Sequence, residues 1–208
     1  MIVLNLKTYE ESIEKSLLFT DIASEIVAET GLRIIVAPPA PYLREAAERF
    51  SDIFAQHTDS EMPGAHTGTI PPELLKKLGV RGSILNHSEK KLTIGSVKTT
   101  IQRLHSQGLE SLVCAATTNE ASALAASTPT FIAVEPPELI GKGVSVSKAK
   151  PEIIVNSVRA IKDVNHKITV LCGAGVSNKQ DVKTAIELGS QGVLLASAFV
   201  KSDDPKKF

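Results

Sequence analysis

Eight short apolar runs, at residues 2–6, 33–37, 53–56, 83–85, 111–115, 130–134, 168–171 and 192–195, punctuate the chain at near-regular intervals. Each is almost continuously apolar rather than alternating, as in parallel strands covered on both faces. The segments between them carry helical spacing. Ile13, Leu17, Ile22 and Ile26 fall on one face ahead of Gly31. Ile153, Val155, Val158 and Ile161 do so after Pro151, a residue suited to a first helical turn, and Val182, Ile186 and Leu188 repeat the pattern ahead of Gly189. Residues 71–78 leave space for about two turns. Strand and helix thus alternate eight times in 208 residues, and the smallest eightfold barrels need ~200. The expected fold is a compact (β/α)8 barrel, an α/β fold with one domain over residues 1–208. A doubly wound open sheet is the alternative, and it normally has fewer strands.

Charge excludes several classes of partner. Lys and Arg together number 23, as do Asp and Glu, so no bulk field recruits nucleic acid or an anionic membrane. No apolar run approaches the ~20 residues of a membrane span. Met1-Ile2-Val3-Leu4-Asn5 lacks the basic region and long apolar stretch of a secretory signal. Cys114 and Cys172 lie inside apolar runs, which suits buried free thiols rather than a disulfide. A cytoplasmic protein is expected.

In a barrel the side chains at the C-terminal strand ends line the active-site mouth, while the opposite face serves stability. Asn5-Leu6-Lys7 ends the first run, Asn86-His87 the fourth and Glu135 the sixth. Each has a bland reading: a solvated lysine, a histidine capping the next helix, a loop acid before Pro136. Together they bring an amide, a cation, an imidazole and a carboxylate to one mouth. His57, His66, His105 and His166 match no set of metal-ligand spacings, and no metal is expected. Small-residue loops after the sixth, seventh and eighth runs, at Gly141-Lys142-Gly143, Cys172-Gly173-Ala174-Gly175 and Leu195-Ala196-Ser197, let backbone N–H groups approach a phosphate. Gly173-Ala174-Gly175 lacks the third glycine and the downstream acid of a dinucleotide fingerprint, so NAD is disfavoured.

At these residues the chain resembles the archaeal type of triosephosphate isomerase. The likeness runs from Asn5-Leu6-Lys7 through Asn86-His87-Ser88-Glu89 and Glu135-Pro136 to residues 194–198, and the N-x-K, HSE and E-P…I-G-x-G motifs occur in order. The resemblance implies interconversion of dihydroxyacetone phosphate and glyceraldehyde 3-phosphate, in glycolysis and gluconeogenesis, without cofactor or metal. It implies Glu135 as the base, His87 as a neutral electrophile, Lys7 as the positive charge and Asn5 as a shaping residue. Substrate contacts are implied at Asn5, Leu6, Lys7, Ile140, Gly141, Gly175, Ala196 and Ser197, and Glu89 takes a supporting part. A base paired with a neutral histidine under a closing loop is what this family is known for. On that reading Pro136-Pro137 is a stiff hinge and residues 138–143 are a lid that excludes water. A helix starting near Ser88 is expected to depress the histidine pKa through its dipole, together with burial of the ring. Residues 58–70 read as a long polar loop, by itself a surface feature, but within it Gly64-Ala65-His66-Thr67-Gly68 resembles the family's interface loop, which implies a homodimer or homotetramer.

The chain departs from the family pattern in three places. Gly175 stands where many relatives have serine, Ala196-Ser197 where they have a glycine pair, and Lys90-Lys91 where they have two arginines. The rivals are another phosphate-binding barrel enzyme, such as a sugar-phosphate epimerase, and a catalytically silent barrel kept for binding. Both should lack part of the Asn5, Lys7, His87 and Glu135 set.

Overall fold

A computed structural model describes residues 1–136 and 151–207. Eight strands alternate with helices among these residues: β1 (Ile2–Asn5), α1 (Glu10–Thr30), β2 (Ile34–Ala37), α2 (Leu43–Arg49), β3 (Phe54–Ala55), α3 (Pro72–Lys77), β4 (Gly82–Leu85) and α4 (Ile94–Ser106). The second half holds β5 (Glu110–Ala115), α5 (Thr118–Ala125), β6 (Phe131–Val134), α6 (Pro151–Val164), β7 (Thr169–Cys172), α7 (Lys179–Glu187), β8 (Val193–Leu195) and α8 (Ser197–Val200). All pairings are parallel, in the order β2-β1-β8-β7-β6-β5-β4-β3. A single bridge between Val36 and Ile53 joins β2 to β3 and turns the sheet into a barrel. The expected (β/α)8 architecture is what forms.

Continuous apolar runs are needed because both faces of each strand are covered. Val3, Ile35, Phe54, Ile84, Leu112, Phe131 and Leu171 point into the barrel. Leu4, Val36, Leu85, Val113, Ile132 and Val170 point outward into the layer beneath the helices. Inside, the rings of Phe54 and Phe131 lie 6.3 Å apart, so the interior is a packed core and not a pore.

The helix faces match the expected ones in part: Leu17, Ile26, Val158, Ile161, Val182 and Leu188 pack on the core, but the deepest positions belong to other residues. In α1 the buried residues are Ser12, Ser16, Phe19, Thr20 and Ala23, while Ile13 is 53% exposed. Small side chains let this helix approach closely, and their hydroxyls are satisfied locally: Ser12 donates to the Leu6 carbonyl, Ser16 to that of Ser12, and Thr20 to that of Ser16. Helix α6 likewise buries Ile154, Ser157 and Ile161 rather than Val155, and α7 buries Asp181 and Ala185 rather than Ile186.

The N-terminal face of the barrel is tied by charge. Arg33, just before β2, reaches Asp52 at 2.9 Å and Glu110 at 2.5 Å, and Arg81 joins the same two acids. Pairing with these acids raises the Arg33 pKa against the cost of its burial.

Candidate active site

The opposite face gathers the expected strand-end residues. Asn5 closes β1, and its Oδ1 accepts the N–H of Lys7 at 3.1 Å. Lys7 adopts φ 49°, uncommon for a residue with a side chain. Gln56, following β3, supports this turn by donating to the carbonyls of Lys7 at 2.9 Å and Ala37 at 3.0 Å. The Lys7 ammonium is thereby held toward the mouth, where it pairs with Glu89 Oε1 at 2.7 Å.

His87 follows β4 and is buried. Its Nδ1 accepts the N–H of Glu89 at 3.2 Å. In the neutral ring this places the proton on Nε2, which lies 3.4 Å from Glu135 Oε1. Burial lowers the His87 pKa, and Lys7 lowers it further. The expected helix dipole plays no part: residues 88–90 form a turn, and α4 starts only at Ile94 behind its Thr93 cap. His87 is expected to take up its proton only below the ordinary histidine value of ~6.5. NMR of its ring nitrogens across pH checks this, and protonation at the ordinary value would contradict it.

Glu135 follows β6 with only 3% of its surface exposed. Burial pushes its pKa up to about 7, although the Cys114 thiol, the Lys7 charge and the Ser88 N–H all favour the carboxylate. Gly173 makes room for it: a Cβ there would sit 2.6 Å from Glu135 Cγ. This glycine has no positive φ, so space and not backbone freedom requires it.

The remaining expected contacts are placed as follows. Leu6 is fully buried; its N–H bonds to the Ala37 carbonyl at 3.1 Å and its carbonyl accepts from Ser12, so its polar groups are engaged within the chain. Gly175, at φ 70°, lies in the loop after β7, and Ala196 and Ser197 lie where β8 meets α8. Ile140 and Gly141, with the rest of the expected lid, lie outside the described residues. Cys114 and Cys172 are free and buried, as expected. Among the described residues no three His, Cys, Asp or Glu side chains are grouped to hold a metal ion.

Sequence reasoning placed Asn86 at a strand end without giving it a role, and it missed Gln56 and the thiol contact of Cys114. Their partners lie on other elements, and only Asn86 carried a signal: asparagine at a strand end tolerates a left-handed turn.

A buried carboxylate with a raised pKa, a neutral imidazole presenting N–H to it and an ammonium at the same mouth can abstract a proton beside a carbonyl and stabilise the resulting oxyanion. Comparison with known proteins agrees. The family model described as triosephosphate isomerase matches residues 1–208. Triosephosphate isomerase of Methanocaldococcus jannaschii is 46% identical over 97% of this chain and 93% of its own length. That of Methanothermus fervidus is 45% identical over 100% and 94%, and that of Archaeoglobus fulgidus is 41% identical over 100% and 94%. With a barrel of the right topology and a family match across its whole length, the chain belongs to the triosephosphate isomerase family.

Proposed function

We propose that Glu135, His87, Lys7 and Asn5 carry the interconversion of dihydroxyacetone phosphate and D-glyceraldehyde 3-phosphate, the reaction of the family and a step of glycolysis and gluconeogenesis. The observation that supports this assignment most is the facing pair His87 Nε2 and Glu135 Oε1, 3.4 Å apart beside Lys7. Glu135 takes a proton from the carbon next to the carbonyl, and the electron pair moves onto the carbonyl oxygen. His87 donates a hydrogen bond from Nε2 to that oxygen and passes a proton between the two oxygens of the enediolate. Lys7 supplies positive charge to the developing anion, and Asn5 holds the Lys7 turn. Glu135 then returns its proton to the neighbouring carbon. Atoms and electrons balance without an electron carrier, so the reaction needs no cofactor. Gly175, Ala196 and Ser197 offer backbone N–H groups to the phosphate, with Ile140 and Gly141 of the lid. A coupled assay for glyceraldehyde 3-phosphate tests the reading, and absence of turnover would reject it.

An assembly of two or four copies accompanies this reading. In the segment 58–70, residues 61–68 are exposed, Met62 by 64%. Its base is tied by the Asp59 N–H to the Ile70 carbonyl at 3.0 Å, and Arg103 grips the Ser60 carbonyl and Glu73. A cleft of about 470 Å³ opens onto the site, where Asn5, Lys7 and His87 line it, and its outer part by Gln56, His57 and Lys90 is suited to receive Thr67 of a second copy. Reciprocal insertion gives a C2 dimer. Thr67→Glu is expected to dissociate it and lower activity, because burying an unpaired charge costs several kcal/mol. Sedimentation should detect no wild-type monomer at micromolar concentration, and a fully active monomer would reject the assembly. No described helix is long and apolar enough to cross a membrane; the free thiols support a cytoplasmic location.

A further inference from the structure

We infer that Asn86 is a positioning residue that sets the histidine and the base relative to one another, an inference that rests on the roles proposed for His87 and Glu135. Asn86 directly precedes His87, is 2% exposed and has φ 57°. The β4–β5 ladder ends at the pair Leu85 and Val113. Beyond it the left-handed turn takes the Asn86 backbone out of register, and its carboxamide replaces the lost ladder. Nδ2 donates to the Cys114 carbonyl at 2.9 Å and to Glu120 Oε1 at 2.9 Å, while Oδ1 accepts the Leu92 N–H at 3.0 Å. All three bonds lie in the interior or at its edge.

Glu120 completes the brace. Its Oε2 accepts the Ala116 N–H at 2.7 Å, and its Oε1 also meets Lys91 Nζ at 2.9 Å. Burial alone would raise its pKa, yet bonds from Ala116, Lys91 and Asn86 hold it below the usual carboxylate range. One side chain therefore joins the strand end that carries His87, the strand end whose Cys114 thiol bonds Glu135, and the turn leading to α4. Glycine would allow the same φ but make none of these bonds. Aspartate would turn an acceptor toward the Cys114 carbonyl and the Glu120 carboxylate.

Asn86→Gly keeps the backbone conformation and deletes the brace. It is expected to lower kcat by about 10- to 100-fold, the range that a misplaced reacting group costs. KM and inhibition by inorganic phosphate should stay unchanged, since the phosphate loops lie elsewhere. Combined with His87→Gln, the two losses should fall short of their product, as for residues acting through one another. Fully multiplying losses, or a wild-type kcat in Asn86→Gly, would overturn the inference while leaving the catalytic assignment standing. A wild-type kcat in His87→Gln alone would instead overturn the catalytic assignment, and this inference with it. Should Asn86→Gly not fold, Glu120→Gln carries the test. It keeps the side-chain volume but cannot accept from both Ala116 and Asn86, so it should show a smaller kcat loss at unchanged KM. An unaltered kcat there would overturn the brace.

Discussion

Glu135→Gln should lower kcat by at least about 10²–10⁴-fold, the usual cost of removing a well-placed base, while substrate analogues still bind. The amide fits the same seat between Gly173 and Cys114 but cannot accept the proton. A near wild-type rate would remove Glu135 from the mechanism. The same substitution should stabilise the protein in a pH-dependent way. The Glu135 pKa is raised from 4.5 to about 7 by burial, so the fold pays nothing while the group is protonated in both states. The penalty for ionising it grows from pH ~4.5 to ~7 and is then constant at about 3 kcal/mol. Glu135→Gln should therefore melt higher than wild type at pH 8 and match it at pH 4. In the wild-type enzyme kcat/KM should fall below pH about 7, as the base of the free enzyme takes up its proton.

Lys7→Met should produce the second large loss, about 10²–10³-fold in kcat/KM, the scale seen when one preorganised charge-stabilising donor is removed. Methionine keeps much of the stem and deletes the charge. Two further effects separate this from simple misfolding. Lys7 favours the ionised form of Glu135 and the neutral form of His87. Its removal should move the acid limb of the pH–rate profile to higher pH and raise the His87 pKa. An unmoved profile would show that the Lys7 charge does not reach the base.

Much of the barrel was legible because strands buried on both faces must be apolar at every position, and runs such as 111–115 and 130–134 satisfy that. The strand-end positions of Asn5, His87 and Glu135 were legible for the same reason, since a polar residue at the edge of such a run marks where the barrel meets solvent. Helix faces were less so. In α1 the close approach demanded by the barrel outweighed hydrophobicity, and serines with satisfied hydroxyls took places assigned to isoleucines. Of the two causes expected for a lowered His87 pKa, burial holds and the helix dipole does not, because a turn of unremarkable sequence separates His87 from α4. The spatial need for Gly173 and the brace around Asn86 involve strands distant in the chain, and no local pattern announces them.

A single bridge joins β2 to β3, and a single register pair, Cys172 with Val193, joins β7 to β8, so among the described residues the cylinder is loosely laced in two places. Side chains stitch the first of them: Arg33 to Asp52 at one end, Gln56 to Ala37 and Lys7 to Glu89 at the other. A hoop with such joins can vary its circumference there without tearing a longer ladder. His87 and Glu135 hang from β4 and β6, bound through β5 by four residue pairs on each side. Lys7 stands across the first join from His87. On the roles proposed for these residues, thermal breathing of the hoop should part the ammonium from the imidazole and leave Glu135 and His87 in register, so that heating should weaken the grip on the anion before it stops the chemistry.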